Sequence, residues 1–227
     1  WGVIPNLIAG NTVVLKHSEN CLLSGKLIEE LMNKNLPEGV FNEIYGDGKQ
    51  GDFLVHQDIN LIWFTGSTEV GKYLYEVAGK KFIRAVMELG GSNPAILFED
   101  ISIDNVLEKV YGDRFRNCGQ SCNAVKRLIV HKSIFDEVVE KLKHIVESKK
   151  VGNPEDETTD IGSLVSKEQQ KLLIAQVDDA IQKGAKVITG GKQPKLDGAY
   201  YLPTLLTNVN KNMRVWKEEV FGPVLPI

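Results

Sequence analysis

The chain has 227 residues, of which 42% are apolar and 25% are charged, and its formal net charge is −3. A chain of this length and apolar content can bury a core, which argues against intrinsic disorder. The small negative charge, with lysine and acidic residues interspersed, excludes the basic surface that a nucleic-acid partner would need. No apolar run approaches the roughly 20 residues that span a bilayer, so we expect neither a membrane partner nor a targeting segment.

Three cysteines, Cys21, Cys118 and Cys122, stand at uneven spacing. An odd number cannot form a disulfide framework and leaves at least one free thiol, so we predict a reducing compartment and a cytoplasmic location. Together with the net charge, this favours small-molecule chemistry over binding to a polyanion.

The first part of the chain alternates strand and helix patterns. We predict a buried strand over 12–15 and then a helix that Ser18 caps and that runs to about Asn33, with a leucine-rich apolar side. A strand over 41–45, a helix over 51–57 and a strand over 60–64 follow. This alternation at the spacing of βαβ units predicts a parallel sheet.

The second part continues the alternation. We predict a strand over 95–98, a helix from Asp104 to near Cys118, a strand over 126–131 and a helix capped by Ser133. A helix from Ser166 that stops at Gly184 and a strand over 185–189 come last. The paired glycines 90 and 91 allow close backbone approach, so we place a boundary between two lobes there. The predicted fold class is therefore α/β.

The run Gly66 to Lys72 (GSTEVGK) directly follows a predicted strand and opens a predicted helix. It matches most of a nucleotide phosphate loop, but Tyr73 replaces the hydroxyl residue that would bind Mg²⁺, which disfavours a P-loop nucleotide hydrolase. Glycine and serine at a helix N-terminus still form an anion site from unpaired amides and the helix dipole. We therefore expect a phosphate-bearing cofactor at Gly66 and Ser67, the alternative being a plain turn.

Lys16, Ser18 and Glu19 follow the first predicted strand, at the end where open parallel sheets bind ligands. Lys16 and Glu19 are three positions apart and could both hydrogen-bond a ribose diol. The alternative is that Ser18 caps the helix and that Lys16 and Glu19 are only solvated.

Glu88 stands between the apolar residues Met87 and Leu89, and two glycines follow Leu89. Desolvation there would raise its pKa toward neutrality, which suits a general base that acts on water. The alternative is an ordinary acidic residue at the end of a strand.

Cys118 and Cys122 differ in their predicted surroundings. Cys118 falls where the preceding helix still runs and is expected to pack, whereas Cys122 follows Gly119 and is the better nucleophile. The four histidines show no metal-ligand spacing to either cysteine, so we expect no metal site. A cysteine protease remains a weaker alternative, because the sequence cannot place a histidine partner.

Five ordered motifs give the chain a close resemblance to the aldehyde dehydrogenase superfamily. Two of these motifs place Glu88 and Cys122 34 positions apart, a spacing typical of that family. The motifs are Ala9–Glu19 (AGNTVVLKHSE), Phe64–Gly71 (FTGSTEVG), Met87–Gly91 (MELGG), Gly119–Cys122 (GQSC) and Lys217–Val224 (KEEVFGPV).

The resemblance implies a fold and a reaction. The fold would be a partial Rossmann-like cofactor domain over 1–90 and a partial α/β catalytic domain over 91–227. Cys122 would attack an aldehyde to give a thiohemiacetal, which passes hydride to a nicotinamide and becomes a thioester. Glu88 would activate the water that hydrolyses the thioester to a carboxylic acid. A homo-oligomer, either a dimer or a tetramer, is also implied.

The implied cofactor is NAD, with NADP as the alternative. Glu19 favours NAD because a carboxylate near the ribose 2′ position would repel a 2′-phosphate, whereas His17 replaces the commoner proline and weakens that choice. Ser67 would hold the pyrophosphate and Glu219 the nicotinamide ribose. The residues implied to contact the cofactor are Lys16, Ser18, Glu19, Gly66, Ser67, Leu89, Glu219 and Phe221.

Arg116 resembles the substrate-binding arginine of the succinate semialdehyde dehydrogenase branch, six residues before the nucleophile. A guanidinium suits a carboxylate because its fork can bind both oxygens. The second arginine of that branch corresponds here to Trp1. Arg116 therefore indicates a semialdehyde acid, with a general aliphatic aldehyde as the alternative substrate. A packing role at the helix end is the alternative role for Arg116.

Members of the resembled family are about twice as long as this chain. We expect the chain to be cut at both ends and to lack an upstream asparagine that completes the oxyanion hole, which would leave the 227 residues alone with little activity. A structural relative that has lost the chemistry is a further alternative, although Cys122 and Glu88 are both present.

Overall fold

The structure is a computed structural model that describes residues 2–227. Internal contacts divide the chain into two compact units: unit 1 ends at Leu89, and unit 2 runs from Gly90 to Ile227. None of the helices in the described residues combines the length and the apolar character needed to cross a bilayer.

Unit 1 consists of two pairs of parallel strands, with helices between the strands in sequence. β1 pairs with β2, and β3 pairs with β4. The elements are α1 (Val3–Ile8), β1 (Val13–Lys16), α2 (Leu22–Asn35), β2 (Phe41–Ile44), α3 (Gly48–Val55), β3 (Leu61–Thr65), α4 (Thr68–Lys81) and β4 (Arg84–Glu88).

Capping side chains set the starts of the helices in unit 1. α3 begins at Gly48, three residues before the predicted start, because Asp47 and Gln50 form a reciprocal capping box. Ser67 caps α4 by accepting a hydrogen bond from the Val70 amide at 3.3 Å. Ser18 caps only the short turn 19–21, and α2 follows from Leu22.

The core of unit 1 lies between α3, β3 and α4. The strand predicted over 12–15 is present as β1, but the prediction that it is buried is wrong: β1 contains no buried residue, and Val14 is exposed. Leu23, Leu27 and Leu31 of α2 form the predicted apolar stripe, but all three are exposed as well. The stripe has the correct helical spacing, and the described residues do not cover it.

Unit 2 combines parallel and antiparallel pairing. β5 pairs with β6 in parallel, and a three-stranded sheet has the order β7-β8-β9, in which β7 and β8 are antiparallel and β8 and β9 are parallel. The elements are β5 (Asn93–Leu97), α5 (Ile103–Phe115), β6 (Val125–Val130), α6 (Phe135–Glu147), α7 (Lys167–Gln182), β7 (Lys186–Thr189), β8 (Thr204–Thr207), α8 (Arg214–Lys217) and β9 (Val224–Pro226). The α/β class with mainly parallel pairing is confirmed.

Two helix ends in unit 2 differ from the prediction. α5 ends at Phe115 instead of near Cys118, because Arg116 leaves the helical conformation with ψ 140° and the next two residues lie in the left-handed region. The turn before α6 is capped by the His131 ring, which accepts from the Ser133 amide, so Ser133 is not the cap. The core of this unit contains Leu107, Val138 and Leu173, all of which are fully buried.

Candidate active site

The segment between α5 and β6 makes a sharp left-handed turn. Asn117, Cys118 and Gly119 have φ angles of 51°, 56° and 71°. Side chains disfavour this region by roughly 1–2 kcal/mol per residue, so surrounding contacts must hold the turn. Asn117 donates to the Gln120 carbonyl at 3.0 Å, and Gln120 accepts from the Val165 amide at 2.9 Å. The turn therefore presents the following residues, 120–124, on a braced loop.

Gly119 is needed for space as well as for its φ angle. A Cβ atom at this position would overlap the Gly222 carbonyl and lie 3.0 Å from the Pro223 nitrogen. The loop that carries Cys122 and the segment 219–224 are thus in direct backbone contact. Any side chain at Gly119 would push these two segments apart.

The structure separates the two cysteines of this loop. Cys118 is 4% exposed and belongs to the core of unit 2, and burial raises the pKa of its thiol to about 12, despite the opposing effect of the Arg114 charge. Cys122 is exposed. Cys118 therefore packs, as the sequence indicates, and Cys122 is the accessible thiol of the loop.

Asn93 and Gly91 fix the backbone at Cys122 from the side of β5. The Asn93 amide donates to the carbonyls of Cys122 at 3.3 Å and Ala124 at 3.4 Å. At Gly91 a Cβ would stand only 2.9 Å from the Cys122 carbonyl oxygen. A glycine here lets the two backbones approach, and the asparagine then bonds across the gap.

Lys126 is a functional candidate that the sequence reasoning missed. Its side chain is 1% exposed, donates to the Ser121 carbonyl and lies 3.4 Å from Oε1 of Glu219. Its Nζ also stands 5.3 Å from the centre of the Phe221 ring. The predicted residues Glu219 and Phe221 are thus brought to the base of the Cys122 loop through Lys126.

Glu219 is held by one of its two carboxylate oxygens. Oε1 accepts from the Gly91 amide at 3.2 Å and pairs with Lys126, while Oε2 has no hydrogen-bond partner in the described part of the chain. The side chain is 27% exposed. One oxygen therefore fixes the carboxylate, and the other is free to accept a hydrogen bond from a ligand.

Arg114 is the second residue that the sequence reasoning missed. It is fully buried and donates to the carbonyls of Val224 at 2.8 Å, Val220 at 3.1 Å and Gly222. Burial lowers its pKa to about 10, although the neighbouring Cys118, Glu219 and Asp113 act to raise it. Arg114 thus fastens the segment that carries Phe221 to the end of α5.

Residue spacing alone could have revealed both buried cations. Arg114 follows Leu107 by seven positions and Val110 by four, so it belongs to the buried face of α5. Lys126 alternates with the buried Leu128 on β6, which places both on the same face of the strand. Each position reads as core by periodicity, which makes a charged side chain there informative.

Arg116 is exposed and follows the last residue of α5. It has the solvent access that binding of a substrate carboxylate requires. The position that corresponds to the second arginine of the succinate semialdehyde branch, Trp1, lies outside the described residues.

The predicted ribose-binding pair is adjacent in unit 1. Lys16 Nζ and Glu19 Oε2 are 3.5 Å apart at the carboxyl end of β1. Ser18 accepts a hydrogen bond from the Asn20 amide at 3.3 Å, so its oxygen serves as a cap. The His17 ring contacts the buried Glu43 carboxylate, so His17 is directed inward.

The predicted phosphate site lies at the start of α4. Gly66 and Ser67 are exposed between β3 and α4. The Ser67 oxygen accepts the capping bond from Val70, which leaves its hydroxyl hydrogen available to donate. Leu89 packs its side chain against Gly71 in the first turn of the same helix, where a Cβ would collide with it.

Glu88 ends β4, opposite Thr65 of β3. Its side chain is exposed, so the expected desolvation among apolar neighbours is absent. The apolar residues beside it in sequence point away, because successive side chains of a strand alternate between the two faces. Glu88 and Cys122 belong to different units.

Comparisons with known proteins agree with these motifs. The sequence model of the Aldehyde dehydrogenase family matches residues 1–227. A 3-sulfolactaldehyde dehydrogenase of Priestia aryabhattai is 40% identical over 226 residues, covering 98% of this chain and 46% of the relative. A succinate-semialdehyde dehydrogenase [NADP(+)] of Deinococcus radiodurans is 39% identical over 224 residues, covering 97% of this chain and 46% of the relative.

A solved structure is similar to this chain over its whole length. A variant of betaine aldehyde dehydrogenase from Staphylococcus aureus, in complex with NAD+, matches with a TM-score of 0.95 and 34% identity. The match covers 100% of this chain and 48% of that one. The chain thus spans about half the length of the relatives it matches. Since the family's sequence model extends over every residue, this chain belongs to the aldehyde dehydrogenase family.

Proposed function

We propose that the whole protein oxidises an aldehyde to a carboxylic acid with NAD(P)+, and that Cys122 is its nucleophile. The observation that carries the proposal is the contrast between two thiols on one braced loop: Cys118 is buried and Cys122 is exposed. We assign the nucleophile to unit 2 and dinucleotide binding to unit 1. Cytoplasmic location and a homo-oligomeric state remain predictions of this proposal.

Cys122 and Glu88 divide the proposed reaction between them. The Cys122 thiolate forms a C–S bond to the aldehyde carbon, giving a thiohemiacetal. A bound nicotinamide cofactor would supply the acceptor for the hydride of this carbon, and Cys122 would then hold the oxidised carbon as a thioester. Glu88 takes a proton from water, the resulting hydroxide attacks the thioester, and the C–S bond breaks to release the acid and the thiolate. The exposed position of Glu88 gives its carboxylate access to that water.

Each unit, taken by itself, offers donors and acceptors that suit particular parts of a dinucleotide. Lys16 and Glu19 offer one donor and one acceptor 3.5 Å apart, which suits a ribose diol. The Ser67 hydroxyl and the unpaired amides at the start of α4 suit a phosphate. The free Oε2 of Glu219 suits a hydroxyl of the second ribose, beside the ring of Phe221.

NAD is the proposed cofactor because Glu19 is exposed at the ribose site, where its charge opposes a 2′-phosphate. The relative from Deinococcus radiodurans is named for NADP(+), and the solved relative contains NAD+, so both cofactors need testing. Glu19→Gln should raise the affinity for NADP relative to NAD. Tighter binding of NADP than of NAD by the unaltered protein would contradict this choice.

Succinate semialdehyde is the proposed substrate. The support is the exposed guanidinium of Arg116 near the nucleophile in sequence, together with the name of the Deinococcus radiodurans relative. A general aliphatic aldehyde is the alternative. The two differ in their dependence on Arg116, since only a substrate carboxylate gains from its charge.

The test is an aldehyde screen of the whole protein with NAD and NADP, which follows the absorbance of the reduced cofactor. Cys122→Ala should abolish turnover and leave cofactor binding nearly unchanged, whereas Cys118→Ala should retain turnover. Arg116→Met should raise KM for succinate semialdehyde and leave KM for propionaldehyde unchanged. Full turnover by Cys122→Ala would show that the nucleophile is assigned wrongly.

A further inference from the structure

Lys126 stands out among the described residues as a buried cation with several partners on the two segments that form the candidate site. An ammonium group has three N–H donors and no acceptor. In unit 2 it meets the Ser121 carbonyl, Oε1 of Glu219 at 3.4 Å and the face of the Phe221 ring at 5.3 Å. The ammonium group of Lys126 thus has one partner for each of its three N–H groups.

These partners come from two separate stretches of sequence. Ser121 immediately precedes Cys122, and Glu219 and Phe221 belong to the segment implied to contact the nicotinamide end of the cofactor. Lys126 itself projects from β6, which pairs with β5. Movement of either stretch would break a bond to a charged group that is shielded from water, which costs more than breaking an exposed one.

The charges around Lys126 support this arrangement. Burial is the largest effect on its pKa and, together with the neighbouring Arg114, lowers it; Glu219 and the Cys122 thiolate act to raise it. The negative groups near Lys126 thus oppose the effect of burial on its pKa. A buried lysine without such partners would favour the neutral amine.

We propose that Lys126 is a positioning residue that fixes the Cys122 loop relative to Glu219. It holds the carbonyl next to the nucleophile and one oxygen of the ribose-binding carboxylate, so that Oε2 of Glu219 points outward at a constant distance from the thiol. This inference rests on the proposed function, because it assigns a purpose to the alignment of nucleophile and cofactor. The restraint of the Cys122 loop by Lys126 can be measured without substrate.

The first measurement is hydrogen exchange in the whole protein without ligands. Lys126→Met removes the charge and keeps the length of the side chain. We expect faster exchange in the peptide that covers 119–124 and at the Gly91 amide, whose acceptor Glu219 loses its anchor. Lys132→Met is the matched control, because Lys132 is exposed just beyond the same strand. Unchanged exchange in Lys126→Met would overturn the proposal.

The second measurement is turnover, with a deuterated aldehyde to isolate hydride transfer. A misalignment of about 1 Å can cost about 10²-fold in rate, so Lys126→Met should lower kcat by about 10–100-fold and increase the isotope effect. Glu219→Gln alters the same contact from its partly exposed side without leaving a cavity. The double variant should lose little more than either single variant, because both act through one contact. Rate losses that multiply would contradict a shared role.

The two proposals fail in different ways. If the unaltered protein shows no aldehyde oxidation while Lys126→Met still loosens the 119–124 peptide, the proposed function is wrong and the positioning contact stands. If oxidation is robust and Lys126→Met changes neither exchange nor the isotope effect, the positioning role is wrong and the function stands.

Discussion

Replacement of Arg114 by methionine should destabilise unit 2 strongly, although this residue is outside the five sequence motifs. The guanidinium donates to three backbone carbonyls of the segment that ends in β9. Methionine fills part of the same volume but donates no hydrogen bond. The three carbonyls would remain buried and lose their charged partner.

The size of the effect follows from two opposing contributions. Each hydrogen bond from a charged donor is worth about 1.5–3 kcal/mol. Against this, burial lowers the pKa of Arg114 from 12.5 to about 10, which corresponds to roughly 3 kcal/mol against the buried charge. The three hydrogen bonds together contribute more than the roughly 3 kcal/mol that burial of the charge costs. Arg114→Met should therefore lower the free energy of unfolding by about 3 kcal/mol, which is in the range for breaking a buried charged contact.

Arg116→Met is the matched control, because it makes the same replacement two positions later at an exposed site. Surface changes of this kind usually stay within about 0.5 kcal/mol. Urea unfolding of the whole protein gives the two free energies. Hydrogen exchange at the Thr204 amide, which donates to Pro223 at 2.8 Å, reports on the segment directly. If Arg114→Met and Arg116→Met shift the unfolding midpoint equally, the reasoning is refuted.

Three further predictions concern the turn before Cys122. Gly119→Ala should destabilise the protein and slow turnover, because alanine is strained at φ 71° and its Cβ overlaps the Gly222 carbonyl; Gly112→Ala, in open space on α5, should do neither. Iodoacetamide at about pH 8 should label Cys122 and not Cys118, since a pKa near 12 leaves only about 10⁻⁴ of that thiol ionised; equal labelling would contradict the burial. Between about pH 9 and 12 the free energy of unfolding should fall by up to about 1.4 kcal/mol per pH unit because of Cys118. The thiol has a higher pKa in the folded state than in the unfolded state, so it stabilises the fold only while it stays protonated. In Cys118→Ala, the free energy of unfolding from urea titrations should depend less on pH over this range.

Local sequence signals predicted the elements of the fold where one side chain decides the outcome. Ser166 caps α7 as predicted, accepting from the Gln169 amide at 3.1 Å, and Gly184 ends the helical region with φ 98°. The start of α3 was misplaced because the capping pair Asp47 and Gln50 was overlooked. β8 was missed because all of its residues are buried, and a strand buried on both faces shows no alternation.

In the candidate site too, local sequence signals predicted some features and missed those that depend on contacts between distant residues. Exposure of Cys122 and burial of Cys118 followed from the glycine between them, which is a local signal. The partners of Arg114 lie 106–110 residues further along the chain, and no local pattern indicates such a contact. The exposure of Glu88 was also beyond local reasoning, because apolar neighbours in sequence occupy the opposite face of a strand.

The central claim is that Cys122 carries the acyl group during aldehyde oxidation. The most direct test is to mix the whole protein, as the Glu88→Gln variant, with NAD+ and succinate semialdehyde, to quench it in acid and to map the modified peptide by mass spectrometry. Without the carboxylate that activates water, the thioester should accumulate, and the acyl mass should be found on Cys122 and be absent in Cys122→Ala. An acyl group on Cys118 or Cys21, or turnover without any adduct on Cys122, would contradict the account.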